Sequence, residues 1–265
     1  MIRSLYTAAT GMEAQQLCMD TISHNLSNIN TTGFKRSKIE FKDLIYETLK
    51  EPGSRNPEGE IAPVGIEVGL GVKPASTQKI FQQGSLTRTG NDLDVAIQGE
   101  GFFQIALPDG TIAYTRNGAF QVTADGTIVN SDGYAVYPQI NIPYGAEQIG
   151  IDAATGKVTV VMPGEQTSTE LGQIELARFV NPAGLKSIGN NLYVETEASG
   201  APVIGVPGEE GFKNTTLQQF YLEASNVQII EEMVNMITTQ RAYEIVSKSI
   251  QVSEEMLQVA NNLKR

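Results

Sequence analysis

Few side chains in this 265-residue sequence have the type and spacing to do chemistry. His24 is the only histidine and Cys18 the only cysteine. Without a second His or Cys at ligand spacing, neither a zinc site nor a His-activated Ser or Cys nucleophile can be assembled. Cys18 beside Met19 reads as a small buried hydrophobe rather than a reactive thiol. A single cysteine also leaves no internal disulfide. Asp92 and Asp94 flank Leu93, which would set two carboxylates on one side of a strand, as a cation site or as a solvated face. Gly65, Gly69 and Gly71 share one stretch, but a phosphate loop needs a Gly-Lys-Ser/Thr ending after a strand. None is present, so tight turns and close-packed strands are the better reading. Carboxylate pairs for glycoside cleavage are assembled in space and leave no linear mark, and nothing here points to one. The sequence leads us to expect no catalytic residue, no cofactor and no metal.

What the residues do specify is a scaffold. Leu222, Ile229, Met236, Tyr243, Ile250 and Leu257 recur every seven positions, widened by Met233, Val246, Ala260 and Leu263, with no Gly or Pro between. That pattern predicts one long coiled-coil-type helix, starting shortly after Thr216 and spanning roughly 60 Å at 1.5 Å per residue. Leu5, Met12, Met19 and Leu26 repeat in the same way, with Met1, Ala8, Ile22 and Ile29 at companion positions and only Gln15 polar. Residues 2–28 therefore read as a second helix, with Gly11 as a weak point. It stops in the Asn-rich run 25–36, where Asn and Gly enter left-handed conformations cheaply. Two helical ends around a different middle suit a subunit that assembles through its termini. Lys35-Arg36-Ser37-Lys38 is a basic patch suited to acidic groups of a neighbouring copy, or to solvating an arm.

Residues 35–50 read as a short helix or an extended arm, and residues 51–60 as a loop of breakers and charge. From Asp94 the pattern turns to strands. Apolar runs at 95–97 and 102–107 precede Asp109-Gly110, Asn117-Gly118, Asp125-Gly126 and Asp132-Gly133, which predict tight turns in an antiparallel meander. Further strands are expected at 148–151, 157–162, 172–179 and 191–194. The fold class is therefore α+β: long N- and C-terminal helices packed together around an all-β middle of short antiparallel strands. We divide the chain at 1–34 (helix), 35–80 (arm), 81–210 (β body) and 211–265 (helix).

Net charge is −11, and it is uneven: +1 over residues 1–50, −10 over 51–215 and −2 over 216–265. An acidic middle disfavours nucleic acid, which needs clustered Lys and Arg. Hydrophobic content of 40% is close to the ordinary globular range. No apolar run is long enough for a membrane span, and the start is too broken by polar residues for a cleaved signal, so no membrane insertion is expected.

Three blocks resemble the bacterial flagellar rod and hook family. Ser23-His24-Asn25-Leu26-Ser27-Asn28-Ile29-Asn30-Thr31-Thr32-Gly33-Phe34-Lys35 is similar to its N-terminal signature. Thr89 to Ile97, Gly99 to Phe103 and Tyr114-Thr115-Arg116-Asn117-Gly118 match its central block. Ser225-Asn226-Val227, Met236-Ile237 and Gln240-Arg241-Ala242-Tyr243-Glu244 match its C-terminal block. The resemblance turns the Asn-rich cap into a family-specific bend, and the chain's length is similar to that of a rod protein rather than of the larger hook protein. It implies a structural, non-enzymatic subunit of the distal rod, self-assembling into a helical tube that encloses an export channel and carries torque to the hook. A proximal rod subunit is the alternative within the family, and a cell-wall-acting enzyme the alternative outside it. Partners implied are further copies of the chain, proximal rod proteins, the hook protein, the L and P ring proteins and the flagellar type III export apparatus. The implied location is the periplasmic rod of the basal body, reached without a cleaved signal.

Overall fold

The computed structural model describes residues 2–53, 63–146, 148–163, 167–209 and 211–263. Met1 of the N-terminal repeat and residues 54–60 of the expected loop lie outside them. The chain forms two compact units: Met1–Ser27, Ser37–Gln78 and Gln228–Arg265 make the first, and Asn28–Arg36 with Lys79–Val227 the second.

Unit 1 contains α1 (Ile2–Ser27) and α2 (Ile229–Asn262), packed antiparallel. Ala, Leu, Met and Gln in α1 favour helix, and it ends where Asn28 begins a turn closed by a Thr31 N–H to Asn28 carbonyl bond of 3.2 Å. The 34 residues of α2 span about 51 Å, with Glu231 and Glu232 in the first turn, where acidic groups favour the helix dipole. Its start corrects the expectation. Residues 216–223 are not helical; Leu222 lies in a strand whose register places it opposite Thr87. Phe220 takes a left-handed φ of 69°, and the Ser225 hydroxyl accepts the Val227 N–H, so the heptad phase of Leu222 is a coincidence of spacing. The arm is extended: β1 (Ser37–Asp43) pairs with β4 (Val72–Lys79), and β2 (Tyr46–Lys50) with β3 (Ile66–Gly69). Gly71 sits at φ +123°, where a Cβ would fall 2.3 Å from the Thr10 hydroxyl, so only glycine lets the arm lie this close to α1.

Unit 2 is a β body. In chain order its strands are β5 (Leu86–Arg88), β6 (Val95–Gln98), β7 (Phe102–Ala106), β8 (Ile112–Thr115), β9 (Gln121–Val122), β10 (Ile128–Val129), β11 (Val136–Tyr137) and β12 (Gln148–Ile151). There follow β13 (Lys157–Val161), β14 (Thr169–Gln173), β15 (Leu176–Arg178), β16 (Lys186–Gly189), β17 (Leu192–Val194), β18 (Val203–Gly205), β19 (Thr216–Gln219) and β20 (Tyr221–Glu223). The largest sheet has the order β16-β17-β8-β7-β15-β18, with β11 also on β7; β12-β13-β14 form a second. All its registered pairings are antiparallel. The Asp-Gly turns close as expected, with positive φ at Gly110, Gly126 and Gly133. Asn117-Gly118 differs: no hairpin follows, because the Gly118 carbonyl receives the Val95 N–H at 3.0 Å. The meander is therefore broken there. Val95, Ile97, Phe103, Ile105, Leu176 and Leu217 are wholly buried in the main core.

Candidate assembly site

Where α1 meets α2, contacts recur every seven residues in both helices. Ser4 Oγ lies 3.5 Å from Ser253 Oγ, Cys18 Sγ 3.7 Å from Thr239 Oγ1, and Asn25 Nδ2 donates to Glu232 Oε2 at 3.3 Å. Between the first two, Gly11 faces Val246, whose methyl would be 3.7 Å from an added Cβ. The seam is thus small and polar, with Asn25, Glu232, Thr239 and Ser253 buried. Thr239 and Ser253 return their hydroxyls to the Asn235 and Ser249 carbonyls at 2.7 and 2.8 Å. Asn25 also donates to the Ser37 carbonyl and accepts the Ser37 N–H, at 2.8 and 2.9 Å, fixing the chain where the arm begins. Such residues set register rather than supply burial energy.

The apolar stripes read from sequence flank this seam. Leu5, Met12, Met19 and Leu26 lie one position beyond it on α1 and are half-buried, as are Met236, Tyr243, Ile250 and Leu257 on α2. Ile229 is exposed. Of the widening positions, Val246 is in the seam, whereas Met233, Ala260 and Leu263 are exposed. Of the companion positions on the α1 stripe, Ala8 and Ile22 are buried, and Ile29, past the helix end, is half-buried. The polar line itself was missed because the reading followed hydrophobicity; its signal was the sevenfold spacing of Ser4, Gly11, Cys18 and Asn25.

The outer face of α2 carries apolar groups that a lone chain leaves in water. Ile230 is 80% exposed, Ile245 70% and Val259 60%, with Val234, Ile237, Val252 and Met256 about half exposed. Gln240 and Arg241 of the C-terminal signature are exposed, without side-chain hydrogen bonds among the described residues, while Ala242 and Tyr243 are half-buried. The arm adds exposed Ile45, Leu49, Val64 and Ile66. It is seated on α1 by an Arg3–Glu47 ion pair of 2.7 Å and by Val72 N–H to Thr10 Oγ1 at 3.4 Å.

The other signature residues hold unit 2 together. Lys35 Nζ contacts Glu223 Oε1 at 2.5 Å and the Gln82 carbonyl at 2.8 Å; Glu223 also takes the Gly84 N–H at 2.9 Å and Arg116 Nη1 at 3.4 Å. All three charges are buried, and burial lowers the Lys35 and Arg116 pKa values against the opposing pull of Glu223. This corrects the basic patch: Lys35 is a core residue paired within its own chain, Arg36 is half-buried, Ser37 is buried, and only Lys38 is exposed. Asn226 accepts the Arg36 N–H at 2.8 Å and donates to the Ile80 and Gln82 carbonyls. Gly33, at φ +69°, leaves 2.6 Å between an added Cβ and the Asn117 N atom; beside it Phe34 is buried under Lys79. Asn28 accepts the Thr31 hydroxyl, and Asn30 is exposed.

The other candidates resolve simply. Asp92 lies in a turn and Asp94 is buried, accepting from Asn91 Nδ2 at 3.1 Å, so the two do not share a strand face. Among the described residues no group of three or more His, Cys, Asp or Glu could hold a metal, and no helix is long and apolar enough to cross a membrane. Cys18 is half-buried, in keeping with a packing role.

A helix pair with a polar seam and an apolar outer face, together with a β body locked by the three signature blocks, defines an axial protein of the flagellar rod and hook type. Family models match in chain order: the flagella basal body rod protein over residues 5–35, the flagellar hook protein FlgE/F/G D1 domain over 96–160, and the flagellar basal body rod FlgEFG protein C-terminal over 218–263. The chain is 52% identical to the flagellar basal-body rod protein FlgG of Borreliella burgdorferi, across the whole of both chains. It is 49% identical to that of Buchnera aphidicola (subspecies Acyrthosiphon pisum), over 99% of this chain and 100% of the relative, and 39% identical to that of Bacillus subtilis over the whole of both. The chain belongs to the flagellar basal-body rod protein FlgG family.

Proposed function

We propose that the chain is a structural subunit of the flagellar basal-body rod that polymerises through the apolar outer face of α2, the half-buried stripe residues beside it, and the arm. The observation that carries this reading is the exposure in unit 1 of Ile230, Val234, Ile237, Ile245, Val252 and Val259 along one face of α2, whereas the closest line between the helices is small and polar. A contiguous apolar face of this kind marks a protein-binding surface. Contacts of this sort repeated head to tail give an open helical assembly. By family resemblance, the tube is the distal rod, exported by the type III apparatus, enclosing its channel and carrying torque. Its neighbours would be the proximal rod proteins, the hook protein and the L and P ring proteins.

The test is Ile230→Asp with Val259→Asp. Both side chains are largely in water, so monomer stability should stay within about 0.5 kcal/mol. Each would bury an unpaired carboxylate on assembly. Electron microscopy should show no rods, and cells carrying the variant should not swim; normal rods and motility would sink the reading. A cell-wall hydrolase would need two convergent carboxylates, whereas among the described residues the cleft lined by Phe81, Phe102 and Phe179 has Glu100 alone, engaged by Arg178 at 2.6 Å. Purified peptidoglycan should therefore keep its turbidity in the protein's presence.

A further inference from the structure

We propose that unit 2 carries a docking cleft for an extended acidic, aromatic peptide segment of another protein. The cleft has a volume of about 590 Å³ and lies between Phe81, Phe102 and Phe179. These rings brace one another edge to face, at 5.3 Å for Phe81–Phe102 and 5.8 Å for Phe102–Phe179, so the walls are preformed for a flat apolar side chain. Its mouth carries Val180, 90% exposed, and Val203.

Two further observations define the occupant. Arg116 lines the cleft and is buried, with Nη2 donating to the Gly99 carbonyl at 2.7 Å and Nη1 to the Ile97 carbonyl and Glu223, yet its Nε has no partner. A buried donor left open calls for an acceptor. Among the described residues the charged groups lining the cleft are Arg116, Arg178 and Glu100. Arg178 pairs with Glu100, and Arg116 shares Glu223 with Lys35, which leaves one positive charge over and favours a ligand bearing carboxylate. Second, Val203 begins β18, the outermost strand beside β15, and no strand covers its far side among the described residues. Ile204 next to it is also exposed. An open sheet edge pairs with extended backbone. A sugar or a compact small molecule would fill the cleft and leave the edge bare; an extended peptide uses both.

The probe is a fluorescein-labelled, end-blocked Thr-Glu-Phe-Glu-Val-Thr peptide titrated by anisotropy with the full chain, against the basic analogue Thr-Lys-Ala-Lys-Val-Thr. The acidic peptide should bind saturably, and hydrogen exchange should slow across residues 199–206. Val180→Asp and Val203→Asp, at exposed positions that leave the fold intact, should each weaken binding roughly tenfold or more, because each sets an unpaired carboxylate against an apolar side chain. No saturable binding, equal binding of both peptides, or binding indifferent to both variants would overturn the proposal. So would slowed exchange at β18 with an N-acetylglucosamine oligomer and not with the peptide, which would make the cleft a saccharide site. Concentration-dependent light scattering abolished by Val180→Asp, with no peptide bound, would overturn it in favour of a second copy.

Discussion

Unit 2 turns its large apolar side chains inward, and unit 1 turns many of its own outward. In the β body, Val95, Ile97, Phe103, Ile105, Leu176 and Leu217 lie fully out of water, each worth about 1.5–3 kcal/mol of burial. In the helix pair, the closest line is Ser4, Gly11, Cys18 and Asn25 against Ser253, Val246, Thr239 and Glu232. That line buries little apolar area, while Ile230, Ile245 and Val259 remain exposed. Isolated helices rely on packing of an apolar face for most of their stability. The contrast teaches that one unit satisfies its own apolar residues while the other leaves a face that, on the proposed function, neighbours would complete.

The strongest way to break the comparison is to disable the lock inside unit 2. Glu223 is wholly buried and is the shared carboxylate of Lys35 and Arg116. Glu223→Ala leaves two buried cations without their anion, and breaking a buried pair from one side costs about 3–5 kcal/mol. With no Trp in the chain, urea unfolding is followed by tyrosine fluorescence. The transition should move by that amount; a change below about 1 kcal/mol would place the core's stability elsewhere and weaken the contrast.

A smaller effect comes from alkaline pH. Burial, followed by the charge of Glu195, raises the Tyr114 hydroxyl from about 10 to about 12, and burial raises Tyr193 as well. These two rings are cross-strand neighbours in β8 and β17. Because the folded pKa of Tyr114 exceeds the unfolded one, its contribution is complete below pH 10 and is lost as pH rises through 12. Unit 2 should therefore lose stability as pH rises from about 10 through 12, its urea midpoint falling over that range, with the buried phenols ionising only as it unfolds when read by tyrosinate absorbance. Ionisation of every tyrosine well before unfolding would show that the cluster is open to water.

Much of this architecture was legible in the sequence, and its limits are instructive. Periodicity located α1 almost to the residue, and the Asp-Gly turns fixed several strands, because those signals are local. The start of α2 was misplaced because a sevenfold repeat runs on through Leu222 while strand pairing and the Phe220 turn decide its conformation. The lock was invisible because Lys35, Arg116 and Glu223 are 81 and 107 residues apart along the chain. Lys35 therefore read as part of a solvated patch. The apolar stripes were found, but hydrophobicity alone could not tell a seam within one chain from a surface awaiting another.

The smallest predicted effect sharpens the comparison from the helix side. Gly11 sits inside α1 facing Val246, and a Cβ there would meet the valine methyls at 3.7 and 3.9 Å, ordinary contact distances. Gly in a helix interior is less stable than Ala by roughly 0.5–1 kcal/mol, through backbone entropy. Gly11→Ala should therefore stabilise the helix pair by about that much, raising its midpoint in far-UV circular dichroism by a few degrees and slowing amide exchange in α1. The β body, followed by amide exchange in β7 and β8, should be unchanged. If the substitution instead lowered the helix midpoint, the seam would need a closer approach than these distances allow. If it left helix exchange unaltered, α1 would already be frayed in the free chain at this depth, and the pair would form only in the assembled rod.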